Sequence, residues 1–154
     1  MFDGHGGHGC AEFLRDNLHN IIANQSTFPS NPEKSLINGF KEAEEQFMKQ
    51  NLHQVRDKSG SCAIVMLIID NDVWIANTGD SRAVMSSTLG STYTQISNDH
   101  KPSEDMEKTR ILKAGGQVYQ NQNIMLAGPG GPVTCGPVRV IPGRLSVSRT
   151  FGDC

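Results

Sequence analysis

The sequence predicts an α+β fold in which the strands pair mainly antiparallel. Three observations lead to this prediction. Two segments with helical periodicity come first, two apolar runs around an Asn-Asp pair follow, and a third helical segment is succeeded by further strand-like segments. Helices and strands grouped in this way, with short turns between neighbouring strands, are typical of the α+β class.

Two amphipathic helices are predicted in the first third of the chain. The first has apolar residues that recur at helical spacing and form one stripe: Ala11, Leu14, Leu18, Ile21 and Ile22. The second is predicted from about Pro32 to Asn51, because Asn31 suits the N-cap and Pro32 the first helical position. Each helix would present one apolar face to a core.

The period of the apolar residues changes after residue 60. A near-continuous apolar run, Cys62–Ile69, and the segment Val73–Asn77 enclose Asn71-Asp72, which predicts a β-hairpin with a two-residue turn. The first of these strands is apolar on both faces, so both faces of its sheet require cover. Shorter strands are predicted at 83–85 and 93–96.

A third helix and a last group of strands complete the predicted elements. Ser103 is expected to cap a helix that ends at Gly115-Gly116. Strands are predicted at 117–119, 138–141 and 145–147. The segment 120–137 is rich in Gly, Asn, Gln and Pro, and we interpret it as a long surface loop.

Composition restricts the classes of function. The 154 residues favour one domain, and 14 basic against 16 acidic residues leave no electrostatic basis for binding nucleic acid or an anionic membrane. The longest apolar run, 63–69, is far shorter than the roughly 20 residues of a membrane-spanning helix, and the first residues lack a secretory signal pattern. Four cysteines without a Cys-x-x-Cys pair favour unpaired thiols. We therefore expect a cytoplasmic location, with a nuclear one as the alternative.

Four short segments combine residues that are suited to chemistry. Asp3-Gly4-His5 sets a carboxylate that suits Mg²⁺ or Mn²⁺ two residues from an imidazole that can transfer a proton near neutral pH. The other three segments surround Asp80, Asp99-His100 and Asp153. Local chemistry alone favours structural explanations for these segments, among them a helix-capping turn at Asp3 and a β-turn with a surface Asp–Arg pair at Asp80.

Two other kinds of site fit the sequence poorly. His5 and His8 could ligate zinc, but no Cys or His pair at the spacing of a closed zinc site accompanies them. The segment 128–131 is glycine-rich, but it lacks the Lys-Ser/Thr of a phosphate-binding loop, and the prolines in and beside it donate no N–H.

Taken in order, six segments of the chain resemble the metal-dependent protein serine/threonine phosphatases of type 2C. They are DGHGG at 3–7, GSCA at 60–63, ANTGDSRA at 76–83, DHKP at 99–102, GG at 115–116 and LSVSRTFGD at 145–153. Each segment is weak alone, but six in family order across nearly the whole chain are specific. The resemblance implies the central part of a catalytic domain, residues 1–154, in which two antiparallel β-sheets pack face to face between helices. This αββα sandwich would be incomplete at both ends.

The resemblance also implies a metal-dependent hydrolysis of phosphoserine and phosphothreonine in proteins. It assigns Asp3 to bridge two Mg²⁺ or Mn²⁺ ions, the Gly4 carbonyl as a further ligand, and Asp80 to a third, weaker ion. The paired ions would activate a shared water and neutralise charge on the phosphate. Asp3 and His5 would be the catalytic residues, with His5 protonating the departing oxygen, while Asp153 receives no role.

The family also has catalytic residues that lie outside this chain. A phosphate-binding Arg and an acidic residue precede the Asp-Gly-His segment in the family, and two metal-ligating Asp residues follow the Phe-Gly-Asp segment. With Asp3 as the one carboxylate at the paired ions, we expect little or no activity from the 154-residue chain alone. The alternative is a non-catalytic phosphatase-like binding module. Phosphorylated proteins are the expected partners, and a monomer is the expected state.

Overall fold

The computed structural model describes residues 1–53, 57–87, 90, 92–124 and 133–153. The described part of the chain contains three helices and eight strands, in the order β1 Phe2–His5, α1 Gly9–Ala23, α2 Pro32–His53, β2 Gly60–Ile69, β3 Asp72–Thr78, β4 Val84–Ser86, β5 Tyr93–Gln95, α3 Asp105–Lys113, β6 Gln117–Ile124, β7 Val133–Ile141 and β8 Phe151–Gly152. Two compact units can be distinguished: Met1–Asp99 with Thr150–Cys154, and His100–Arg149. All strand pairs among the described residues are antiparallel, which confirms the α+β class. The face-to-face packing of two sheets stays a prediction.

Helices α1 and α2 of the first unit confirm the two predicted amphipathic helices. The predicted apolar stripe of α1 is largely buried, with Leu14 and Leu18 at 0% and 1% exposure. Asn31 caps α2 as expected, because its Oδ1 accepts a hydrogen bond of 3.0 Å from the Lys34 N–H. None of the helices in the described ranges has the length and apolarity that crossing a membrane requires.

A four-stranded sheet packs against these helices, with β2 at its centre. Strand β1 lies along one edge of β2, and β3 and β8 pair with the other edge. The two-residue turn between β2 and β3 is Asp70–Asn71, not the predicted Asn71–Asp72, because Asp72 pairs with Ile69 in the ladder. Asp70 takes a left-handed conformation with φ +53°, which Asp tolerates better than most residues.

The two faces of the sheet have different surroundings. One face contributes Ala63 and Phe151 to the core around α1 and α2, where the Phe151 and Phe40 rings pack 5.4 Å apart. The other face leaves apolar side chains exposed in the described chain, including Met66 at 64% and Ile68 at 59%. The expectation that both faces of β2 are covered is therefore met on the helix side alone.

The second unit contains α3 and the hairpin of β6 and β7. Helix α3 ends before Gly115, which has φ +83°, as predicted. The predicted cap Ser103 is wrong: the N-cap residue is Glu104, and its side chain makes no capping hydrogen bond.

The predicted loop 120–137 is wrong at both of its ends. Polar residues that read as loop continue β6 to Ile124 and begin β7 at Val133, because cross-strand backbone pairing stabilises them. Residues 125–132 lie outside the described part, so the interpretation as a surface insertion stays a prediction. The strand predicted at 145–147 is also wrong, since β7 pairs with β6 and the chain after Gly143 and Arg144, both at positive φ, does not continue as strand.

Candidate functional site

Strand β1 positions the first pair of candidate residues on the sheet face away from the helices. Asp3 lies opposite Cys62 and His5 opposite Gly60, so these positions share one face, while the neighbouring Ala63 belongs to the core. Asp3 is exposed and His5 is half-buried. The alternative of a helix-capping turn is wrong, because the segment is a strand and the N-cap of α1 is another residue.

Asp80 follows the end of β3 and lies beside Cys62, the residue opposite Asp3. Its Oδ1 lies 3.6 Å from the Sγ of Cys62. Gly79 makes this approach possible: it is buried with φ +106°, and a Cβ at this position would overlap the Cys62 sulfur. Asp3 and Asp80, which are 77 positions apart in the sequence, are thereby brought to either side of one side chain.

The negative charges of Asp80 and Asp3 affect the pKa of the Cys62 thiol. Burial raises the pKa of Cys62 to about 11, and the carboxylates of Asp80 and Asp3 add to the rise despite a hydrogen bond from the Asp80 backbone. Cys62 is 2% exposed, so the prediction of a small buried hydrophobe is confirmed. Hard cations such as Mg²⁺ and Mn²⁺ prefer oxygen to sulfur, so the carboxylates rather than the Cys62 thiol are the candidate donors of this site.

The donor chemistry fits part of a site for a hard divalent cation. Carboxylate and carbonyl oxygens are what Mg²⁺ and Mn²⁺ prefer, and Asp3, Asp80 and the exposed Gly4 offer them. Within the described ranges no group of three or more His, Cys, Asp or Glu side chains could hold a metal ion. The two carboxylates are therefore a partial ligand set.

His5 contacts the carboxylate of Asp153, a residue for which the sequence predicts no role. Asp153 Oδ2 lies 2.8 Å from His5 Nε2, and the Asp153 side chain is 15% exposed. The two residues meet above Gly60, where a Cβ would overlap both of them. In the sequence, Asp153 stands out only through the Gly-Asp pair that follows Phe151. Because 148 positions separate it from His5, no local pattern connects the two residues.

The Asp99 segment and the Ser148-Arg149 part of the segment that ends at Asp153 make structural contacts. Arg82 forms a bidentate ion pair with Asp99, with N···O distances of 3.0 and 2.6 Å. In the second unit, Ser148 and Arg149 bind the buried carboxylate of Glu107. These contacts fix the chain around the motifs within each unit.

Comparison with known proteins decides the family. The model of the protein phosphatase 2C family matches residues 1–154. The chain belongs to the protein phosphatase 2C family. Protein phosphatase 2C homolog 2 of Schizosaccharomyces pombe is 42% identical to it over 99% of the chain and 36% of that relative. Probable protein phosphatase 2C 11 of Arabidopsis thaliana is 35% identical over 99% of the chain and 36% of that protein. The chain thus spans little more than a third of the length of these type 2C relatives.

Solved structures share the fold of this chain. A sex-determining protein of Caenorhabditis elegans is 27% identical with a TM-score of 0.75, covering 99% of the chain and 34% of that structure. A serine-threonine phosphatase 2C of Toxoplasma gondii has a TM-score of 0.78 over 99% of the chain and 56% of its own length. Its sequence identity is 20%, so it supports the type 2C fold alone.

Proposed function

We propose that this chain carries part of the active site of a metal-dependent protein serine/threonine phosphatase. The observation that supports this most is the pair of carboxylates, Asp3 and Asp80, that flanks Cys62 beside His5. Membership of the type 2C family along the whole chain supports the same assignment. The substrates would be phosphorylated proteins, and the cofactors Mg²⁺ or Mn²⁺ ions.

Each residue would have a defined task in the reaction. Asp3, Asp80 and the Gly4 carbonyl would hold the ions, which when bound supply a water molecule of lowered pKa and neutralise phosphate charge. His5 would donate a proton to the seryl or threonyl oxygen as its bond to phosphorus breaks. By holding the ions two residues before His5 on β1, Asp3 would also fix where those ions lie relative to His5.

The experiment compares two aspartates in the complete natural polypeptide that contains this chain. Asp3→Asn should lower kcat on a phosphothreonine peptide in Mn²⁺ by roughly 100-fold or more, since a metal ion contributes several kcal/mol to such reactions. Asp16→Asn is the control, because Asp16 is an exposed residue of α1 that pairs with Arg15. Equal activities of the two variants would refute the proposal.

A second candidate is a non-catalytic phosphatase-like module that binds a phosphorylated partner. The partial ligand set favours it: no third metal-ligating side chain joins the pair within the described part of the chain. On this hypothesis the complete polypeptide binds the phosphothreonine peptide in Mn²⁺ but does not release inorganic phosphate. For residues 1–154 alone, both candidates predict weak Mn²⁺ binding and slow turnover.

A further inference from the structure

The contact between His5 and Asp153 connects two strands on opposite edges of β2. Strand β1 pairs His5 with Gly60, and β8 pairs Gly152 with the same Gly60. Since Gly60 has no side chain, the imidazole and the carboxylate meet across the strand between them, at 2.8 Å. The pair is thus a product of the sheet topology and of one glycine.

The backbone aims the Asp153 carboxylate at His5. Gly152 and Asp153 have φ of +74° and +59°, so two successive residues are left-handed where an extended strand would have turned the side chain elsewhere. The Asp153 N–H donates to the Ser59 carbonyl at 3.2 Å. A left-handed non-glycine residue costs free energy and persists when its surroundings fix it.

Helix α2 supplies a second anchor for this turn. The Gly152 N–H donates a hydrogen bond of 3.0 Å to the carboxylate of Glu44, a half-buried residue of α2. A hydrogen bond to a charged acceptor is stronger than one between neutral groups. Glu44 therefore holds the backbone that carries Asp153.

We propose that Asp153 is a positioning residue for His5 and that Glu44 holds Asp153 in place. An ionised carboxylate can only accept, so the Nε2–H of His5 is the donor and Nδ1 is the ring nitrogen left for the substrate. This inference rests on the proposed phosphatase function.

In the reaction, a water oxygen bonds to phosphorus as the bond from phosphorus to the seryl or threonyl oxygen breaks. The departing oxygen keeps the electron pair of that bond and takes the Nδ1 proton of imidazolium His5. The products are the alcohol and inorganic phosphate. His5 ends neutral with Nε2–H still on Asp153, and the proton released by the attacking water restores the imidazolium through solvent.

The kinetic test uses the complete natural polypeptide and two substrates. A phosphothreonine peptide has a leaving group that needs a proton, whereas p-nitrophenyl phosphate has one that does not. Asp153→Ala should lower kcat on the peptide by roughly 100-fold, the range of general acid catalysis, and at least tenfold more than on p-nitrophenyl phosphate.

Asp153→Asn keeps an acceptor oxygen and should recover part of the loss. Glu44→Ala should show a smaller loss with the same substrate preference, and Glu45→Ala, on the exposed side of α2, none.

A second readout does not depend on activity. Nitrogen-15 NMR of the metal-free polypeptide at high pH should show His5 as the Nε2–H tautomer, and Asp153→Ala should lose that preference. Equal losses on both substrates, or an unchanged tautomer in Asp153→Ala, would overturn the positioning role. Absence of turnover in the unmodified polypeptide, with the tautomer as expected, would instead refute the phosphatase function and with it the catalytic part of this inference.

Discussion

The Sγ of Cys62 lies 3.6 Å from Oδ1 of Asp80, while the register of β1 and β2 sets Asp3 directly opposite the same cysteine. A neutral thiol therefore separates two acidic side chains that arrive from different strands. Such a concentration of negative charge favours a bound cation. The buried Cys62, which looks like an ordinary core residue in the sequence, therefore lies between the two carboxylates.

The first prediction concerns the reactivity of Cys62. Because burial and then the nearby carboxylates hold its pKa at about 11, little thiolate forms at pH 8, and alkylation by iodoacetamide should be slow. Cys135 is an exposed free thiol and should react at an ordinary rate. Mass spectrometry of a time course compares the two residues in one sample. Labelling of Cys62 as fast as Cys135 would contradict the described environment.

The second prediction concerns Gly60. A Cβ at this position overlaps the His5 ring and the Asp153 carboxylate, both of which are side-chain ends that can move apart. Gly60→Ala should therefore cost only about 1–3 kcal/mol of unfolding free energy, as overpacking typically does, while it breaks the His5–Asp153 hydrogen bond. His5 NMR and urea unfolding measure the two effects.

Gly136→Ala is the matched control for that experiment, because the nearest atom to an added Cβ is 3.5 Å away. It should leave the His5 signals unchanged. A Gly60→Ala protein whose His5 signals match those of the unmodified protein would show that the two side chains do not meet above this glycine.

The third prediction concerns the stability of the second unit. Glu107 is 4% exposed; burial alone would raise its pKa, but hydrogen bonds from Arg149, Arg110 and Ser148 hold the pKa well below the usual range. A carboxyl with a lowered folded-state pKa stabilises the fold above the pKa of the unfolded chain, near 4.5, and the contribution declines as the pH falls below that value.

Glu107→Gln should lower the unfolding free energy at pH 7 by about 3 kcal/mol, because it removes a buried charge that pairs with two half-exposed arginines. The deficit should shrink as the pH is lowered from 5 to 3. Urea denaturation of this variant and of Glu104→Gln, which alters an exposed acid without a capping bond, measures the difference. A deficit that is constant over this pH range would contradict the lowered pKa.

The helices were predictable because their signals are local. An apolar stripe, an Asn cap and a terminal glycine lie within a few residues of the elements that they specify, and α1 and α2 form where they were expected. Strands β1 and β8 were missed for the opposite reason. They are four and two residues long, include glycines, and exist through pairing with β2 rather than through a pattern of their own.

The candidate site was predictable only in part. Asp3, His5 and Asp80 stand in short motifs that the resemblance to type 2C phosphatases made specific. Asp153 stands in such a motif as well, but its task depends on a partner 148 positions away. The register of the strands decides which residues meet over such a separation in the sequence. That register cannot be inferred from a local sequence pattern.

Divalent cation binding shows whether Asp3 and Asp80 hold metal ions together. Titration of the complete natural polypeptide with Mn²⁺, followed by electron paramagnetic resonance, should show that Asp3→Asn and Asp80→Asn each weaken binding by roughly 10-fold or more, since even indirect supports of a metal site contribute that much. Asp16→Asn should bind Mn²⁺ as the unmodified protein does. Unchanged Mn²⁺ affinity in both Asp3→Asn and Asp80→Asn would show that these carboxylates do not hold the ions.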